Sequence, residues 1–163
     1  MLTTGYLFDG PAAVRYPRGS GPNAPLEPGL KPLEIGKGVI RRQGSKVALL
    51  VFGVQLAEAL QVGATLDATV VDMRFVKPLD EAMVRQLAGS HELLVSIEEN
   101  SVMGGAGSAV GECLAAAGIV KPLLQLGLPD RYVEHDKPSA MLAECGLNAA
   151  GIEAAVRARL AQL

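Results

Sequence analysis

The sequence predicts an α/β domain, a mainly parallel sheet in a three-layer arrangement, over residues 33–163. Three observations carry this. Apolar runs such as "KVALLVFG" (Lys46–Gly53) are continuous rather than alternating, the pattern of strands buried on both faces. Those runs alternate with segments of helical periodicity, an order that yields parallel strands with helices on both sides. A glycine cluster, "GGAGSAVG" at 104–111, follows a strand and opens a helix, at the end of the sheet where α/β proteins place ligands.

Each element has its own justification. Residues 1–19 hold one short strand candidate, Ala12–Tyr16, closed by Pro17 and Gly19. A lone strand needs neighbours for its backbone groups, so 1–19 is expected to be the tail of an upstream domain. Residues 20–32, "SGPNAPLEPGLKP", contain four prolines and two glycines and are expected to be a linker. "LEIGKGVIRRQG" (33–44) alternates and suits a short edge ribbon, and Lys46–Gly53 is the first buried strand. Leu56, Ala59, Leu60 and Gly63 mark a helix, followed by a strand over Ala68–Val76. The next helix takes Asp80 as its N-cap and ends at Gly89. Glu92–Glu99 is the third strand, Gly107–Ala117 a helix, and Pro122–Pro129 the fourth strand. Two helices, at about 138–145 and 149–162, complete the pattern.

Composition narrows the function. Hydrophobic residues make up 49% but aromatics only 4%, so Ala, Val, Leu and Gly must fill the core. A net charge of −2 with no run of either sign gives no support to a nucleic-acid or anionic-membrane surface. Two cysteines, Cys113 and Cys145, suggest no disulfide framework, and no apolar run is long enough to span a bilayer. A cytoplasmic setting is expected.

The glycine cluster resembles a phosphate cradle only superficially. Gly105 and Gly107 are not followed by a third glycine at dinucleotide spacing, because Val110 stands there. No Lys-Ser or Lys-Thr pair makes a P-loop. A dinucleotide fingerprint belongs on the first strand of its unit, and Glu98 and Glu99 flank this loop with negative charge. A structural turn through Gly104, Gly105 and Gly107, in which the backbone passes close to a neighbour, is the preferred reading. Glu98 and Glu99 suit a helix cap or a subunit contact better than acid–base chemistry. His91 and His135 lack the partner and pocket that a general base needs. Met73, Met83, Met103 and Met141 read as core or gap-filling residues.

Four stretches in order carry a family resemblance: "AVRYPRG", "VVDMRFVKPLD", "IEENSVMGGAGSAV" and "LGLPDRYVEH". Together they resemble the C-terminal part of the 1-deoxy-D-xylulose-5-phosphate synthase family, a branch of the transketolase-like thiamine-diphosphate enzymes. The resemblance implies a transketolase C-terminal-domain fold over 33–163. Residues 1–19 would then be the end of a pyrimidine-binding middle domain. It further implies a transferase that condenses pyruvate with D-glyceraldehyde 3-phosphate and releases CO2, in isoprenoid, thiamine and pyridoxal biosynthesis. Thiamine diphosphate and Mg²⁺ would be held mainly by N-terminal and middle domains, so this chain carries no catalytic, cofactor or metal residue and is expected to be inactive alone. Its partners would be those domains and a second copy in a homodimer.

Two residues match family positions with a substrate role. Arg18 in "YPRG" and Arg74 in "DMRF" resemble the arginines that grip the phosphate of glyceraldehyde 3-phosphate. A guanidinium stays charged and offers a planar fork suited to phosphate oxygens. From the residues alone, pairing of Arg74 with a local carboxylate such as Asp72 or Asp80 stands equally open. Two other readings of the whole are a non-catalytic assembly module and the C-terminal domain of another transketolase-like enzyme, such as a transketolase proper or a 2-oxoacid dehydrogenase β subunit.

Overall fold

A computed structural model describes residues 1–14, 16 and 29–163, which fall into two units, Met1–Ile35 and Gly36–Leu163. In the first, α1 (Leu2–Leu7) is a single helix whose buried Thr4 accepts a bond at Oγ1 from Leu33 N–H, 2.7 Å. The strand expected over Ala12–Tyr16 does not form at the described positions 12–14 and 16. A strand persists only where a neighbour takes up its backbone groups, and no described residue of this unit lies in one. Residues 20–28 of the expected linker lie outside the described residues. Residues 33–35 group with the first unit rather than with the sheet domain.

The second unit is a five-stranded sheet in the order β1-β3-β2-β4-β5. Its strands are β1 (Val39–Arg42), β2 (Val47–Phe52), β3 (Thr69–Asp72), β4 (Leu93–Ser101) and β5 (Leu123–Leu128). β1 runs antiparallel to β3 at one edge, and every other pairing is parallel. β2, buried at all six positions, is the centre.

Alternation along β2 builds both faces of the core. Val47, Leu49 and Val51 pack with Val70, Val95 and Ile97 beneath α2 (Leu56–Leu66) and α6 (Ala149–Leu160). Ala48, Leu50 and Phe52 pack with Val71, Met73 and Leu94 beneath α3 (Glu81–Ser90) and α4 (Ala106–Ala116). The result is the expected three layers.

Local chemistry sets the ends of the helices. Asp80 caps α3 by accepting from Met83 N–H at 3.1 Å, while Gly89 sits inside that helix, which runs on to Ser90. Asn148 caps α6 through Gly151 N–H, and Glu58 of α2 accepts from Ala149 N–H at 2.9 Å, tying the two helices of one layer together. α5 (Pro138–Glu144) is the short segment before α6. Both cysteines are free thiols, and burial pushes that of Cys113 up from its ordinary value. Among the described residues no helix is long and apolar enough to cross a membrane.

The topology also locates the switch point of the sheet. From β2 the chain passes along one face through α2 to β3, then returns along the other face through α3 to β4 on the far side of β2. The helices leaving β2 and β4 therefore diverge, and the carboxyl ends of these strands form the topological switch point of the sheet.

Candidate functional site

The residues of interest lie where β2, β3 and β4 end. β3 was expected to reach Val76 but stops at Asp72. Met73 N–H still reaches Val51 C=O at 2.9 Å and its side chain is buried, after which the backbone turns at Arg74. Arg74 has φ +61°, a left-handed conformation that costs a residue with a Cβ roughly 1–2 kcal/mol. The buried Met73 and the turn end the ladder that the apolar run alone would have continued.

Arg74 is mostly shielded, with 20% of its side chain exposed, and its Nε lies 3.6 Å from Asp72 Oδ2. The same oxygen accepts a 2.9 Å hydrogen bond from Arg41 Nη2. Arg41 arrives there through an irregularity in the edge ladder. Ile40 pairs with Val71 and Arg42 with Val70, leaving Arg41 as the extra residue of a bulge, a device that re-aims a side chain. One carboxylate between two guanidinium groups leaves the cluster net positive. Of the two carboxylates considered for Arg74, Asp72 is its ion-pair partner. Asp80 is committed to Met83 N–H, to Gly38 N–H at 3.0 Å and, at 4.0 Å, to Lys37 Nζ. Arg18 lies outside the described residues. Arg41 carried no sequence signal, since nothing in "VIRRQG" announces a bulge.

At the end of β4, Glu98 turns inward and is only 4% exposed. Its carboxylate accepts from Ala106 N–H at 2.8 Å and Gly107 N–H at 2.9 Å, taking two of the free amides that open α4. The glycines make this approach possible. A Cβ on Gly105 would collide with Ser101 C=O and the Glu98 carboxylate, and one on Gly107 would lie 2.5 Å from Ser96 Oγ. Gly104 takes φ +71° in the turn just before them. The amides that a bound phosphate would face are thus occupied by the protein's own carboxylate.

Glu99 is half-buried, with its carboxylate over Gly53 of the β2–α2 loop. His91 is buried and satisfied: Nε2 lies 2.8 Å from Thr69 Oγ1, and Nδ1 lies 2.9 Å from Ser90 Oγ and 3.2 Å from Leu87 C=O. His135 is exposed. Met73 is core, whereas Met103 is 75% exposed, a correction to its expected gap-filling role.

No group of three His, Cys, Asp or Glu side chains among the described residues is placed to hold a metal ion, and the amides at the start of α4 already have an anion.

Comparison with known proteins gives this geometry a family. The chain is 80% identical, over all 163 residues, to a protein named 1-deoxy-D-xylulose-5-phosphate synthase from Stutzerimonas stutzeri. It is 75% identical over 163 residues to one of the same name from Pseudomonas putida. In both cases it spans 26% of the relative's length. A solved structure titled "Split gene transketolase, inactive beta4 tetramer" aligns with a TM-score of 0.74 at 33% identity, covering 80% of this chain and 44% of that one. Residues 36–152 match the family described as transketolase, C-terminal domain, and the chain belongs to that family.

Proposed function

We propose that this chain is the C-terminal region of a transferase that condenses pyruvate with D-glyceraldehyde 3-phosphate, releasing CO2, to give 1-deoxy-D-xylulose 5-phosphate. The observation that carries this is the 80% identity to a synthase of that name across every residue of the chain. Thiamine diphosphate with Mg²⁺ supplies the carbon–carbon chemistry in such an enzyme. In this reading the chain's part is to bind substrate and to present surface to the rest of the enzyme.

In this reading Arg74 grips the substrate phosphate. In support, Arg74 stands just past the carboxyl end of a parallel strand, where open α/β sheets bind ligands. Its left-handed backbone is the kind of strain that concentrates at functional sites. Among the described residues it has no partner but Asp72, and that contact is long. The exposed Val54, Val76 and Met103, in the loops after β2, β3 and β4, suit burial against the upstream domains or a second copy. A monomeric full-length enzyme in solution removes the second copy from this picture. The isolated chain is inactive in this reading, and turnover by it overturns that part.

The test is Arg74→Ala in the full-length enzyme. A charge-assisted hydrogen bond is worth about 1.5–3 kcal/mol, and about 1.4 kcal/mol is tenfold. Losing one or two such contacts costs on the order of ten- to several-hundred-fold in kcat/KM for glyceraldehyde 3-phosphate, with the KM for pyruvate nearly unchanged. Arg74→Lys recovers part of the loss, because an ammonium keeps the charge without the fork. Equal losses for both substrates together with a lower Tm make Arg74 a scaffold residue instead.

A further inference from the structure

We infer that Glu99 and Gln55, at the carboxyl ends of β4 and β2, receive an arginine side chain from the domains upstream of this chain; this rests on the chain being one region of a larger enzyme. Two oxygen acceptors here lack donors. Gln55, the residue before α2, is 2% exposed, and its Oε1 is buried with no hydrogen-bond partner. Glu99 is half-buried, and its carboxylate lies over Gly53, two residues before Gln55 in the same loop. Among the described residues no hydrogen bond or ion pair engages that carboxylate. The donors of the neighbouring turn are already taken: Ala106 and Gly107 N–H by Glu98, and Gly104 N–H by Ser108 Oγ. Buried polar atoms are ordinarily paired, so an orphan acceptor beside a free carboxylate marks a donor that this chain does not supply. That donor is a cation, because Glu98 and Glu99 place two negative charges at this end of β4. A guanidinium suits the seat better than an ammonium. It offers five donors in one plane, enough for a carboxylate and an amide oxygen at once, and it is weakly hydrated. The exposed Val54 and Met103, in the loops after β2 and β4, supply the apolar surround that keeps water from such an anchor.

One other use is open to Glu99. It could face the positive end of α2, whose N-cap makes no side-chain hydrogen bond. The two roles differ in where the stabilisation is felt. A helix charge stabilises the isolated chain and the whole enzyme alike, whereas a docked arginine stabilises only the whole. Gln55 favours the second role, because a buried amide oxygen without a partner serves nothing inside the chain. Replacing it by an apolar side chain of similar volume leaves the isolated chain at least as stable.

The experiment compares the full-length enzyme with the 163-residue chain by amide hydrogen exchange, using the parent, Glu99→Gln and Gln55→Leu. In the full-length parent the amides of Val54, Gln55 and Met103 are expected to exchange on the order of tenfold more slowly than in the chain, the effect of about one charge-assisted contact. Each substitution removes most of that difference in the full-length enzyme. The urea midpoint of the chain is unchanged by Glu99→Gln and unchanged or raised by Gln55→Leu. Among arginine-to-alanine variants of the upstream domains, one reproduces the faster exchange, and Glu99→Gln adds almost nothing to it. Equal exchange of the parent in both forms overturns the inference, and so does the absence of any such arginine. A lower midpoint of the isolated chain with Glu99→Gln also overturns it and makes Glu99 a charge for α2. Protection of the chain alone that grows with its concentration overturns it too, because the occupant is then a second copy. Synthesis of 1-deoxy-D-xylulose 5-phosphate is measured separately: a full-length enzyme that makes none overturns the functional reading, while exchange decides the docking alone.

Discussion

Replacing Glu98 tests whether the glycine turn is held by a buried internal cap. Its carboxylate satisfies Ala106 N–H at 2.8 Å and Gly107 N–H at 2.9 Å, and the residue is 4% exposed. Glu98→Ala leaves both amides without that acceptor. Each buried donor so orphaned costs about 1–3 kcal/mol, and the lost anion at the helix start adds about 0.3–1 kcal/mol. The expected loss is therefore about 2–7 kcal/mol, a large share of the roughly 5–15 kcal/mol that holds a domain together. Glu98→Gln keeps one acceptor oxygen of similar reach but sets an NH2 against the second amide. About 2 kcal/mol is expected for it. Urea unfolding of the 163-residue chain, read at the midpoint with the slope checked for constancy, measures both. A loss below about 1 kcal/mol for Glu98→Ala, or a Gln variant as damaged as the Ala variant, refutes the account. In the first case the amides have another acceptor; in the second the charge and not the hydrogen bonding dominates.

Gly105→Ala is expected to destabilise by at least about 2 kcal/mol through overpacking. The new methyl meets the Ser101 carbonyl, which is backbone and cannot swing aside, while φ −83° at this position is ordinary for alanine. Thermal unfolding checks this, and an unchanged Tm contradicts it. Asp67, hydrogen-bonded by Arg42 Nη2 at 2.9 Å and Ser45 Oγ at 3.1 Å, has its carboxyl pulled below the ordinary value of 3.8, first by the Arg42 bond and then by Ser45. A lowered folded-state value means stability that is present above pH 3.8 and lost as the pH falls through the folded value. Asp67→Asn, which tolerates the φ of +51° there, is expected to melt lower than the parent at neutral pH, the gap closing in that acid window. A gap independent of pH assigns the difference to packing.

Much of the sheet domain was determined by the sequence alone. The buried run around Val47–Phe52 has no polar residue to offer either face to water, so it had to be central. Its alternation with helical periodicity left a parallel, two-sided sheet as the architecture. Asp80 as the cap of α3 and a capping role for one of the two glutamates were also legible, because local backbone chemistry decides them. The strand proposed at Ala12–Tyr16 shows the limit of local reasoning, since a strand exists only through its neighbours. The site belongs to the tertiary structure for the same reason. Which of Glu98 and Glu99 turns inward depends on how the end of β4 meets α4, and an inward Glu98 excludes an external anion from those amides. Arg41 meets Asp72 across a bulge 31 residues away in sequence, and Arg74 leaves the sheet because β3 ends early. Side-chain pairing between separated segments is set by register and by where each strand stops, and neither is written in the residues that pair.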